Sequence, residues 1–284
     1  MKYAVLTLTL FAVSCGRTPG ADPSAAARAS ARLHAAKSFQ VLELVGTRIE
    51  EFFGRRQQGV EAFSEELFSL RGKWRALFWS REDFERHVRR RFEEHLFRAE
   101  DFEREVLAPV RADLAFAIDA SEAGVAADLN AWARASRPGV SEPDVRPALS
   151  RLVTGLVLKD LGLNVASIAG SEVAALAASA ILTRAGILGA SVAAGAGSSW
   201  MTLGIGLVVG TIAGIVIDSI VGEELEETAR DSVRFELDAL RRKMLESEDG
   251  IWRASLRALE THGRALERSA ARLVEGSGHD AHPA

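Results

Sequence analysis

The sequence predicts an all-α protein: an elongated bundle of coiled-coil-like helices around a central, glycine-rich apolar helical hairpin. Three observations carry that expectation. Alanine, leucine, arginine and glutamate dominate a chain with one tyrosine and seven prolines, a mixture that favours helices over sheets. Apolar residues recur every three or four positions along charged stretches, as a helix with one buried face requires. Residues 185–217 form 33 consecutive positions without a charge and with eight glycines, in a chain that is otherwise 26% charged.

The elements follow in order. A helical pattern opens near Ser30 and carries Leu33, Phe39, Leu42, Val45, Ile49, Phe52 and Phe53. It continues, with a break at Gly54 or Gly59, through Phe63, Leu67 and Leu70, and the aromatic cluster Trp74, Phe78 and Trp79 closes it. Ser80 followed by Asp83 marks the next helix start, because a hydroxyl there satisfies an orphan amide. Phe84, Val88, Phe92, Leu96, Phe102, Val106, Val110, Leu114 and Ile118 then trace one apolar stripe on a helix otherwise covered with Glu and Arg, with Pro109 as its kink site. A stripe of that length needs a partner helix.

Residues 137–147 hold three of the seven prolines and read as a linker. They divide a charged helical region at 30–136 from an apolar block at 148–222, which a short helix at 148–161 leads into. After Gly222 the composition reverses. Glu223, Glu224, Glu226 and Glu227 open a long amphipathic helix at 223–275, where their charge complements the helix dipole. Its seam runs through Leu225, Ala229, Val233, Leu237, Leu240 and Met244. After an interruption at Asp249 and Gly250 it resumes at Trp252, Leu256, Leu259, Leu266, Ala270 and Leu273. The spacing is coiled-coil-like rather than a strict heptad. The tail at 276–284 reads as disordered.

The uncharged run is too long for one membrane-spanning helix. Thirty-three helical residues extend about 50 Å, against a hydrocarbon layer of about 30 Å. Five small residues at 195–199 divide the run ahead of Trp200, giving arms at about 165–194 and 200–221. The second arm has nine Leu, Ile or Val residues between Trp200 and Ile217, worth about −3 to −5 kcal/mol of insertion free energy. The first has seven between Val173 and Ala194, worth about −2 to −4 kcal/mol, but Arg184 costs about 3 kcal/mol. The first arm is therefore balanced near zero, and the pair reads as a conditional hairpin. Gly206, Gly210 and Gly214 repeat every four residues and clear one helix face, which resembles glycine-zipper membrane segments and implies self-association in the bilayer.

At the N-terminus, Lys2, an apolar stretch at 3–13 and small residues lead to the only cysteine in the chain. The sequence Ala12-Val13-Ser14-Cys15 resembles the lipobox of bacterial lipoproteins, departing from it at Ala12, where leucine is commonest. The resemblance implies a signal peptide at 1–14, lipidation of Cys15, and a mature chain outside the cytoplasm, with Gly16 pointing to the outer membrane. Residues 15–29, small and proline-containing, read as a tether. With no second cysteine there is no internal disulfide, so stability must come from helix packing.

Other chemistry is thin. A net charge of −4 argues against nucleic acid as a partner. The glycines at 204, 206 and 210 lack the preceding strand that a dinucleotide site requires. His87 and His95 bracket Arg91, a poor metal arrangement that reads as solvated surface. Carboxylates alternate with arginine as ion pairs on a wet face do. No serine has a base nearby, so neither enzyme activity nor a cofactor is expected. The resulting expectation is a non-catalytic envelope lipoprotein, with the bilayer as partner through the hairpin and the charged helices as a scaffold or protein-binding surface. Two alternatives stand beside it: a pore-forming protein with the architecture of α-helical toxins, and a soluble bundle with the apolar block as its core.

Overall fold

The computed structural model describes residues 22–136, 144–160, 210–214 and 224–276. Every regular element among them is helical, and the protein is an all-α helical bundle. In chain order the helices are α1 (Pro23–Ser38), α2 (Val41–Gln57), α3 (Gly59–Phe68), α4 (Leu70–Phe78), α5 (Arg81–His95) and α6 (Ala99–Phe102). A π-helical turn (Glu103–Leu107) leads into α7 (Ala108–Ser136), followed by α8 (Arg146–Asp160), α9 (Glu224–Glu246) and α10 (Ile251–Gly276). Residues 210–214 are also helical.

Helix α1 begins at Pro23, inside the stretch expected to be a tether. Asp22 caps it by accepting from the Ser24 amide at 2.9 Å, and Pro23 at the first position has no amide to satisfy. Its buried face is Ala27, Ala31 and Ala35, four residues apart, whereas Leu33 is half exposed. These small side chains let α1 lie close along α10 and α7. Alanine is the best helix former, so a run of small residues folds wherever a partner helix accepts it.

Two hydrophobic clusters fill the bundle. The larger gathers α2, α3, α5, α6, the π turn, the first part of α7, Ile212, Ala213, α9 and the start of α10. Phenylalanine dominates it. Phe52 meets Phe53, Phe97 and Phe102 edge-on at 5.4, 5.1 and 5.2 Å, and Phe92 extends the network to Phe97 and Phe63. The smaller cluster is alanine- and valine-rich and joins α1, the later part of α7, α8 and α10. Helices α7 and α10 run through both clusters and tie them together.

The stripe from Phe84 to Ile118 is buried at all nine positions, but α5, α6, the π turn and α7 carry it instead of one helix, with Leu96 between α5 and α6. The chain leaves helical geometry after His95, and Asp101 recaps it by accepting from the Arg98 amide at 3.0 Å. Pro109, the expected kink site, falls in the first turn of α7 just after the π turn. It cannot donate to the Glu105 carbonyl, and the π turn just before it widens the coil to accommodate the ring; the Ala108 amide reaches back to Glu103. The break between α9 and α10 falls at 247–250, where the sequence places it.

Charge pairing is as much between helices as along them. Arg48 meets Asp113 at 2.8 Å, Arg55 and Arg56 share Glu105, Arg230 and Arg234 share Glu61, and Arg268 reaches Asp160 at 2.8 Å. Pairs along one helix, such as Arg81 with Glu85, sit on exposed faces.

Candidate membrane-facing site

The corner between α3 and α4 sets the site. Ser69 turns extended and its hydroxyl accepts from the Gly72 amide at 3.1 Å, opening α4. Gly72 lies so close to the end of α3 that a Cβ would run into the Leu67 carbonyl. It is the one buried residue of α4. The helix therefore meets the bundle through the backbone at Gly72 and the small Ala76 side chain, and turns its large apolar side chains outward.

Those side chains are large and apolar. Leu70, Trp74, Leu77 and Phe78 are 81%, 61%, 60% and 69% exposed. At about 100° per residue they share one stripe, with Arg71 on one flank and Lys73 on the other. Trp74 and Phe78 stack with ring centroids 4.6 Å apart, so each aromatic is held by the other rather than by the core. Helix α4 has three basic residues, Arg71, Lys73 and Arg75, and no acidic one. A rimmed apolar stripe of this kind marks an interaction surface. Trp, Phe and Leu beside Lys and Arg is the composition that settles in a bilayer interface.

Comparison with protein-family models, curated proteins and solved structures finds no match. The site therefore has to be read from its own chemistry.

Of the residues singled out from sequence, Cys15, Arg184, Trp200 and Gly206 lie outside the described residues. Gly210 and Gly214 stand at the ends of the helical segment 210–214, both half-buried, and beyond their chain neighbours and own helix backbone no described atom lies within 4 Å of a Cβ built on either. Between them Ile212 and Ala213 are buried in the phenylalanine-rich core. Among the described residues no helix is long and apolar enough to cross a membrane, and no group of three or more His, Cys, Asp or Glu is placed to hold a metal ion.

One expectation is corrected. His87 is not solvated surface: it is only 2% exposed, wedged between α4 and α5. His95 and Arg91 share a different direct partner. Both pair with Glu66 of α3, at 2.8 and 2.9 Å. Burial pushes the Glu66 carboxyl up, but His95 and Arg91 outweigh it and hold it below the usual carboxylate range.

The exposed face of α4 escaped sequence reasoning because helical periodicity assigns apolar residues to a core. The signal that marks it is charge asymmetry. Residues 70–78 have aromatic and aliphatic side chains interleaved with three cations and no carboxylate, in a chain with more acids than bases.

Proposed function

We propose that this chain is a non-catalytic bacterial envelope lipoprotein, tethered by acylation of Cys15, that lays the α4 corner of its bundle on the bilayer. The observation that carries the reading is the exposed stripe Leu70, Trp74, Leu77 and Phe78 between Arg71 and Lys73. Its apolar side chains gain free energy by leaving water, and its uncompensated cations are drawn to anionic headgroups. A peripheral contact of this kind is weak alone and becomes stable beside a second anchor; the acyl chain at Cys15 supplies one. The remaining charged helices serve as a scaffold or protein-binding surface.

The test uses the Cys15→Ala protein, which has no acyl tether, in sedimentation with vesicles. Binding should strengthen when phosphatidylglycerol is added to phosphatidylcholine. It should fall about tenfold in Trp74→Ser/Phe78→Ser, a loss matching about 1.4 kcal/mol, with helical content unchanged. Equal binding by that variant counts against the α4 contact.

A second reading, in which the apolar block is part of a bundle core, is favoured by Ile212 and Ala213, which pack within it. Carbonate extraction separates the two states of the block. The Cys15→Ala protein stays in the pellet if the hairpin is inserted and is released if the block is docked on the bundle.

A further inference from the structure

Behind the exposed face, Arg75 of α4 meets the first turns of α5 in an open cleft of about 420 Å³ lined by Trp79, Asp83, Arg86, His87 and Arg90. The His87 ring forms its floor. Arg75 Nη1 lies 3.2 Å from His87 Nε2, and Arg90 Nη2 lies 3.3 Å from His87 Nδ1. Trp79 stands edge-on to the same ring at 5.5 Å, and the Arg75 guanidinium sits 5.4 Å over the Trp79 ring.

The arrangement has too many donors. A neutral imidazole offers one lone pair and one N–H, so it accepts from only one of two guanidiniums whichever tautomer it adopts. The other ring nitrogen turns its N–H toward a guanidinium N–H. A protonated ring accepts from neither. The cleft is lined by the guanidiniums of Arg86 and Arg90 and by a single carboxylate, that of Asp83, while the Arg75 guanidinium reaches its floor through the His87 ring. That carboxylate is already engaged by Arg86 and by the Ser80 hydroxyl at 2.7 Å. Neither Arg75 nor Arg90 has a carboxylate within 4 Å among the described residues, whereas most interhelical arginines of this bundle do. The partner this cleft lacks is acceptor-only and anionic, and guanidiniums in pairs fit a tetrahedral oxyanion well.

We propose that the cleft binds a phosphate group and, resting on the membrane reading above, that this phosphate is a lipid headgroup. Arg75 joins the two features. It belongs to the helix whose Trp74 and Phe78 would lie among the acyl chains, so the cleft opens at headgroup depth beside them. Trp79, 42% exposed, stands at the boundary between the two environments, as interfacial tryptophans do. The lipid phosphate accepts from Arg75 and Arg90, and His87 then donates to it instead of opposing a guanidinium.

The experiment sets Arg90→Gln against Arg89→Gln in the Cys15→Ala background. Arg89 is the neighbouring exposed arginine and does not line the cleft, so both variants lose one charge but only one loses the site. Three probes are used: phosphatidylcholine vesicles, the same vesicles with phosphatidic acid, and inorganic phosphate titrated while the His87 imidazole signals are followed by NMR. The expected result is a loss of about tenfold in phosphatidic-acid-dependent binding for Arg90→Gln and under about twofold for Arg89→Gln. Inorganic phosphate should move the His87 signals in the parent and not in Arg90→Gln. Equal losses in the two variants, or His87 signals indifferent to phosphate, overturn the cleft while leaving the α4 contact standing. Phosphate-sensitive His87 signals in a protein that binds no vesicle overturn the lipid source and the membrane reading together.

Discussion

Glu122 of α7 and His262 of α10 meet in the alanine-rich half of the bundle, Oε1 3.1 Å from Nε2, with both side chains shut away from solvent. The second ring nitrogen of His262 has no hydrogen-bond partner among the described residues. This is the polar tie between the two helices that run through both cores. Removing one member leaves the other buried without its main partner, and that asymmetry costs more than the pair contributes. Glu122→Ala should lower stability by about 2–3 kcal/mol in urea unfolding. Glu122→Leu/His262→Leu should recover most of the loss, because no polar group is then stranded. A loss under about 0.5 kcal/mol for Glu122→Ala, the range of ordinary surface substitutions, would show that the pair is not a tie.

The phenylalanine network makes a sharper contrast. Phe52 is fully buried and touches three other rings, whereas Leu70 is 81% exposed. Phe52→Ala should cost about 3–5 kcal/mol, since the lost transfer free energy is joined by a cavity the surrounding rings cannot collapse into. Leu70→Ala should leave the unfolding midpoint in place and weaken vesicle binding. Opposite readouts from two apolar truncations would separate core from contact surface.

Much of the bundle is legible in the sequence, for a physical reason. Val45, Ile49, Phe52, Leu237 and Leu259 recur with the helical period because each must reach one core, and all five are buried. Periodicity fails where it carries no information. Leu96, Phe97 and Phe102 keep the apolar spacing across a real helix break, so only the Arg98–Asp101 cap betrays it. Ala27, Ala31 and Ala35 are too small to stand out as apolar, yet they are a packing face. The α4 stripe has the right period but faces outward, because Gly72 and Ala76 on the opposite side of that helix are what meet the bundle. The His87 cleft depends on which residues of α5 face α4, and no spacing rule gives the angle between two helices.

Two glycines that both lie inside helices should respond to alanine in opposite directions. At Gly72 an added Cβ meets the Leu67 carbonyl, backbone that cannot move aside cheaply; at exposed Gly54, inside α2, it meets nothing within 4 Å. Gly54→Ala should raise stability by about 0.5–1 kcal/mol, through helix propensity and a less flexible unfolded chain. Gly72→Ala should lower it and displace α4, visible as changed fluorescence of Trp74 and Trp79. If Gly72→Ala is as well tolerated as Gly54→Ala, the close contact that orients α4 is wrong.

The pH dependence of stability should carry the signature of His87. Burial, followed by Arg75, Arg91 and Arg90, lowers its pKa from 6.5 to about 4, with Glu66 opposing. Between those two values the unfolded chain binds a proton that the folded one refuses, so folding loses ground as acid is added. The contribution is whole above about pH 6.5 and drains away as pH falls toward 4. Nearby carboxylates held low, such as Asp83 (mainly by its Ser80 hydrogen bond) and Glu66, withdraw their stabilisation only at lower pH, as they protonate. His87→Gln keeps an acceptor and a donor but does not titrate. It should flatten urea midpoints between pH 6.5 and 5 while leaving the steeper acid loss below pH 4 unchanged. An undiminished slope in His87→Gln would place the titrating group elsewhere. A phosphate held in the cleft should weaken the same slope in the parent protein, because an anion against the ring favours its charged form.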